Sequence, residues 1–515
     1  MKYLSIFLIV FTGLPLLAQD SLVFFNELKF ESDFERTMFN TYLNNTDSSH
    51  LALFLATNPD MDQELYSKYR QQYDAHLRAL PMDKINKKKK DKQIKAIYDE
   101  VHNRFFKKYE EINDFSNIFS KGYYNCVSAT ALYGMIFSQL NIPYIIKEKP
   151  THVYLVAYPG SENVVVESTD PTGGFMTASD KYKEVFVEQL KNAKIISAEE
   201  FASKSVMQLF DEYYFSDPDI SLIELAGIQY TNHALYALDN TKNRQAYTLL
   251  EKAHYLYPCE RTATLMLTVG GMILQNTDYS AIEDVDYIAK MARFSKYGVT
   301  HEMIVAEFAG INETFLINKN DTAAYSARYH RLLDHINDNS LKKEIEYLYH
   351  YERGRVLYNS GKYDLAITFF ERAYENNPDN LDINNVLVSA LALSIRFESN
   401  ISKIVEKLES FKENHESLMD NNIFKSLLVD AYLTKCGQSY DLGKINDAAK
   451  YQVLFENNYN EELMIEEDKI GRVYSLAAIY YFKKGQTSKA KSILNKGLSY
   501  APASYELQMR KRMIH

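Results

Sequence analysis

Residues 354–380 read GRVLYNSGKYDLAITFFERAYENNPDN, and their spacing decides the architecture of the chain beyond about residue 215. Ala366, Phe370, Ala373 and Pro378 follow at steps of four, three and five, with Gly354 twelve residues before Ala366. Steps of four and three keep side chains on one helical face. Small residues on two facing helices let their backbones close, and proline stops the second helix. The same steps recur at Ala246, Leu250, Ala253 and Pro258, with Ala234 twelve residues earlier. They recur again at Ala490, Leu494, Gly497 and Pro502, behind Ala478. A weaker copy, NDAAKYQVLFENN, surrounds Ala448, and 260–340 reads as helical but out of phase.

This pattern resembles the tetratricopeptide repeat. Each hairpin leaves an apolar face that only a neighbour covers, so 215–515 is expected to be an all-α solenoid. The resemblance implies a protein or peptide partner held by the repeats.

The chain opens MKYLSIFLIVFTGLPLLAQD. Lys2, an apolar run broken by Gly13 and Pro15, and small residues near Ala18 read as a signal peptide over 1–18. A periplasmic or secreted protein is expected. No later stretch has the ~18 uninterrupted apolar residues of a membrane span. The full 515 residues exceed one core, so several domains are expected. A net charge of −10 without a basic bias argues against a nucleic-acid partner. The three cysteines, Cys126, Cys259 and Cys436, form neither a disulfide framework nor a Cys/His metal spacing. No metal or cofactor is expected. Residues 19–90 read as a helical region, with Leu28, Phe30, Phe34, Met38 and Leu43 along one helical face. In DKINKKKKDKQIKAIYDEVHNRFFKKY (83–109), Ile94, Ile97, Tyr98, Val101, Phe105 and Tyr109 form a stripe with lysines on the water side.

The stretch KGYYNCVSATALY (121–133) carries the candidate chemistry. A loop enters an apolar helix at about 126–140, and IPYIIKEK, THVYLVAYPG and ENVVVEST then read as a small antiparallel sheet. A thiol becomes nucleophilic where a helix N-terminus and an imidazole stabilise its thiolate. Cys126 stands at such a terminus, and His152 starts a strand. Either Glu167 or Asp170, on the next strand, can orient the imidazole. His233, His254 and His301 lack acids at metal spacing and read as structural. Cys259 and Cys436 read as packing.

The segments GYYNCVSATALYGMIFSQLNIPY, HVYLVAY and VVVESTDPTGG resemble the transglutaminase-like superfamily over roughly 90–185. That resemblance implies an α+β, papain-like domain over 91–200, with Cys126 as nucleophile and His152 as general base. Asp170-Pro171-Thr172 matches the family's acid by residue type, whereas Glu167 fits the strand register. Two departures stand out. Tyr154 occupies the usual tryptophan position and Ser120 that of a papain-type glutamine. The Cys126 N–H, with Tyr123 or Tyr124, is then left as oxyanion donor. Two functions follow. One is a cysteine-dependent hydrolase or acyltransferase on peptide or protein amides. The other is a non-catalytic interaction scaffold whose front domain is degenerate.

Overall fold

The computed structural model describes residues 21–43, 50–167, 175–176, 180–192 and 195–514. The segment 1–18 and Asp170 lie outside them. The chain forms two compact units. One runs to Thr277 and includes Arg293–Gly298; the other comprises Asp278–Ala292 and Val299 onward. The sequence places a boundary near 215, whereas the structure divides at 277.

The first unit begins with α1 (Asp33–Leu43), α2 (His50–Leu55), α3 (Gln63–Ala79), α4 (Met82–Ile85) and α5 (Lys90–Phe105). Leu28 and Phe30 precede α1 rather than riding on it, because Ser32 accepts from the Glu35 N–H and sets the helix start there. Ile94, Ile97, Tyr98, Val101 and Phe105 are buried along α5 as the stripe predicts. Tyr109 is not on that helix. It lies in β1 (Lys108–Tyr109), which pairs in parallel with β2 (Tyr123–Tyr124). Lysines of α5 face water, where Lys90 meets Glu162 and Lys95 meets Asp99.

After the short α6 (Asn117–Ser120) comes α7 (Cys126–Gln139). Its residues Val127 to Phe137 are buried throughout, so it is an internal helix without a water face. It packs on an antiparallel sheet of β3 (Tyr144–Lys149), β4 (His152–Ala157), β5 (Val164–Val166), β6 (Phe175–Met176) and β7 (Asp219–Ile220). The strand order is β6-β5-β4-β3-β7. Val153 to Ala157 and Val164 to Val166 are buried, as expected for strands covered on both faces. Helices α8 (Asp180–Asn192), α9 (Ala198–Ser203) and α10 (Val206–Tyr214) form a satellite cluster around Val187, Ile196, Leu209 and Phe210. The unit closes with α11 (Leu222–Asp239), α12 (Asn243–Leu256) and α13 (Glu260–Gln275).

The second unit holds α14 (Val285–Met291), α15 (His301–Ile311), α16 (Thr322–His335), α17 (Asn339–Asn359), α18 (Tyr363–Asn376) and α19 (Leu381–Ile395). It continues through α20 (Ile401–Asn414), α21 (Asn422–Asp441), α22 (Ile445–Asn458), α23 (Glu467–Lys483), α24 (Thr487–Tyr500) and α25 (Tyr505–Met513). A continuous apolar core runs from Ala366 to Ile514. The predicted small residues make the close contacts. Ala366, Ala448 and Ala490 are fully buried, and a Cβ on Gly354 would fall 2.6 Å from the Phe370 ring.

Hairpins α11–α12, α17–α18, α21–α22 and α23–α24 share one turn. Its left-handed residue is Thr241, Gly361, Gly443 or Gly485. The next residue, Lys242, Lys362, Lys444 or Gln486, has φ near −90° and ψ of 61–72°. The degenerate copy around Ala448 therefore has the geometry of the clear ones.

Candidate functional site

Cys126 is the first residue of α7. Asn125 caps the helix by accepting from the Ser128 N–H at 2.9 Å, and Ser128 Oγ accepts from the Asn125 N–H at 2.9 Å. This reciprocal cap holds the thiol at the positive end of the helix, where N–H groups of the first turn have no intrahelical acceptor. The thiol is partly exposed and unbridged.

His152 opens β4, and Glu167 directly follows β5. Leu155 is paired with Val166, so one further register step sets Glu167 opposite Tyr154, on the face that carries His152. The side chains meet there, with His152 Nε2 2.7 Å from Glu167 Oε2. Hydrogen bonding to Cys126, then to Glu167, raises the His152 imidazole to about 9, against an opposing effect of burial. The structure thus brings together Cys126, His152 and Glu167. With Nε2 engaged by the carboxylate, Nδ1 is the ring nitrogen left for the thiol.

The surroundings sort the remaining candidates. Tyr124 is buried, stacked on Phe106 at 4.5 Å, and is committed to packing. Ser120 Oγ donates within its own turn, to Ser116 O and Asn117 Oδ1. Tyr154 is buried and donates to Asp217 Oδ2 at 3.1 Å. Tyr109 is more open. Burial, and after it the charge of Cys126, pushes its hydroxyl up to about 12, so it stays a neutral donor near the sulfur. Cys436 is buried, and burial pushes its thiol up to about 12. Cys259 caps α13 against Thr262.

Sequence reasoning missed the contribution of α11. Tyr236 donates to Glu111 O at 2.8 Å, and the Asn113 backbone and Asn125 side chain hydrogen-bond to its hydroxyl. Gln229 donates to Asn113 O at 3.3 Å. The first repeat-like hairpin therefore braces the loop that caps Cys126. His301 forms ion pairs within the second unit. Glu344 and Asp338 flank its ring at 2.9 and 3.0 Å, from positions too distant in sequence to be paired with it by spacing. Among the described residues, no group of three or more His, Cys, Asp or Glu is placed to hold a metal ion. Among the same residues, no helix is long and apolar enough to cross a membrane.

Two segments, 347–380 and 471–504, match family models described as tetratricopeptide repeat. They cover the C-terminal part of α17 with all of α18, and most of α23 with all of α24. These two hairpins are tetratricopeptide repeats. The repeat hairpin is a unit built for stacking and for presenting surfaces to proteins, which gives the second unit a protein-interaction character. No curated protein matches the chain. The solved structure of Naa15/Naa10 bound to HypK-THB aligns with 93% of this chain at 12% identity and a TM-score of 0.18. This chain spans 65% of the length of that one, and a likeness so weak bears on neither fold nor function.

Proposed function

We propose that the chain is an exported, cysteine-dependent hydrolase or acyltransferase acting on peptide or protein amides, with its tetratricopeptide repeats engaging the protein partner. The observation that carries this reading is the 2.7 Å His152–Glu167 contact beside Cys126, with the imidazole held near 9. The order of parts also supports a transglutaminase-like domain: a cysteine opening an internal helix, a histidine opening the next-but-one strand, and an acid ending the strand after it. Glu167 takes the orienting role. A periplasmic or secreted location rests on the signal-peptide-like sequence at 1–18.

In this mechanism His152 takes the proton of the Cys126 thiol as the sulfur becomes the nucleophile. The sulfur attacks the amide carbonyl carbon, and the C–N bond breaks as His152 gives its proton to the leaving nitrogen. Water or an amine then attacks the thioester, loses its proton to His152, and releases the thiolate. The Cys126 N–H, unpaired at the helix start, is the donor nearest the developing oxyanion, and Tyr109 supplies a neutral hydroxyl nearby. The test is alkylation of the folded protein by iodoacetamide at neutral pH. Cys126 should react far faster than Cys259, and Cys436 slowest. Equal rates at Cys126 and Cys259 would remove the basis for an activated thiol.

A further inference from the structure

A cavity of about 340 Å³ opens within the first unit, between the 112–114 segment and the α11–α12 hairpin. That size falls in the range of small-molecule sites. Asn113 and Thr57 are buried in its wall, and Glu31 and Lys242 lie exposed at its rim. Asp114 lines it with capacity to spare. Its Oδ1 accepts from the Ser116 N–H at 2.8 Å and its Oδ2 from Thr57 Oγ1 at 2.9 Å, leaving a lone pair on each oxygen. Among the described residues, no Lys or Arg pairs with Asp114. The imidazole beside it, His233 at 3.6 Å, is lowered by burial and so is neutral. Lys242 likewise forms no ion pair with a carboxylate among the described residues. Behind Asn113 and His233 sits Gln229. It is fully buried, its amide nitrogen touches both, and its Oε1 has no partner among the described residues. Buried acceptors left unpaired are rare. Ile112, Ala237 and Leu249 supply apolar wall between the charged groups.

We propose that this cavity binds a small zwitterion, of amino-acid or dipeptide size, whose ammonium group is held by Asp114 and Glu31 and whose carboxylate is held by Lys242. Two acids without a Lys or Arg partner and one base without a carboxylate partner, among the described residues, line the same cavity and are complementary to a ligand carrying both charges. A purely cationic or purely anionic ligand would satisfy only one of them. The cavity is joined to the thiol site through Tyr236, which lines it and feels the charge of Cys126. Binding itself does not need the thiol chemistry. Any use of the ligand as part of a substrate rests on the proposed function.

The experiment is calorimetric titration of the full chain with the α-amino acids and a set of dipeptides, with butylamine and butyrate as single-charge controls. Saturable binding of at least one zwitterion is expected, and the two panels decide between amino acid and dipeptide. Asp114→Asn and Lys242→Gln should each weaken it about tenfold or more, the loss of one charged hydrogen bond. Lys242 is exposed, so its variant keeps the test readable if Asp114→Asn fails to fold. No saturable zwitterion, unchanged affinity in Lys242→Gln, or equally tight butylamine binding would overturn the proposal. Iodoacetamide labelling of the same samples separates the two readings. Selective Cys126 labelling without zwitterion binding removes only the cavity proposal. Binding with unselective labelling removes only the thiol reading.

Discussion

At the scale of single residues, the pairing of His152 with Glu167 and Cys126 has a pH signature. The fold raises the imidazole from its ordinary 6.5 to about 9, so folding favours the charged ring. That contribution to stability is fully present below 6.5 and is lost as pH rises through about 9. The melting-temperature gap between the wild-type chain and His152→Gln should therefore narrow between about pH 6 and about pH 10. Glu167→Gln removes one of the two groups that raise the ring. Its His152 titration, followed by NMR, should move down, and Cys126 alkylation should slow by about tenfold to a hundredfold. An unmoved titration would show that Glu167 does not orient this imidazole. His152 and Glu167 were both legible in the sequence, because strand alternation sets which residues share a face. Asp170 shared the assignment by residue type and lies outside the described residues.

At the scale of elements, the hairpins follow from small residues at fixed positions. Gly354→Ala forces a methyl against the Phe370 ring and should cost about 1–3 kcal/mol, read as a lower melting temperature. Gly361→Ala meets no neighbour but must keep a φ of +76°. Its cost should be about 1–2 kcal/mol, through backbone strain alone. If the two variants melt alike to wild type, close helix contact and turn geometry are not what hold this hairpin. These elements were readable because helix period and turn chemistry are local. The stripe at 94–105 was readable for the same reason, and Tyr109 failed because the helix stops at Phe105 and Phe106 turns extended, which ended the period it was assigned to. The bracing of Asn113 and Glu111 by α11 was not readable, since contacts across 116 and 125 residues leave no periodic trace.

At the scale of the whole molecule, the repeat spacing identified the α-helical C-terminal part, while the boundary came out differently. The α11–α12 hairpin carries the repeat signature yet folds into the first unit. The reason is polar as well as apolar. Lys252, fully buried on α12, meets Glu35 of α1 at 2.7 Å, and Tyr230 donates to the same carboxylate oxygen at 2.8 Å. A buried charge stripped of its partner is expensive, so Lys252→Met should destabilise the first unit by about 3–5 kcal/mol. The double variant Glu35→Met/Lys252→Met should recover most of that loss in a denaturant titration. No recovery would mean the two charges are not energetically coupled. This clasp also has a consequence for biosynthesis. Its partners are 217 residues apart, and a ribosome adding ~5–20 residues per second needs roughly 10–40 s to cover that interval. Throughout that time the emerging N-terminal region lacks its lock. Nascent chains stalled before Lys252 should be digested readily by added protease, while chains stalled well past it resist. The loop that caps Cys126 thus gains its brace from α11 only after nearly half of the polypeptide has been made.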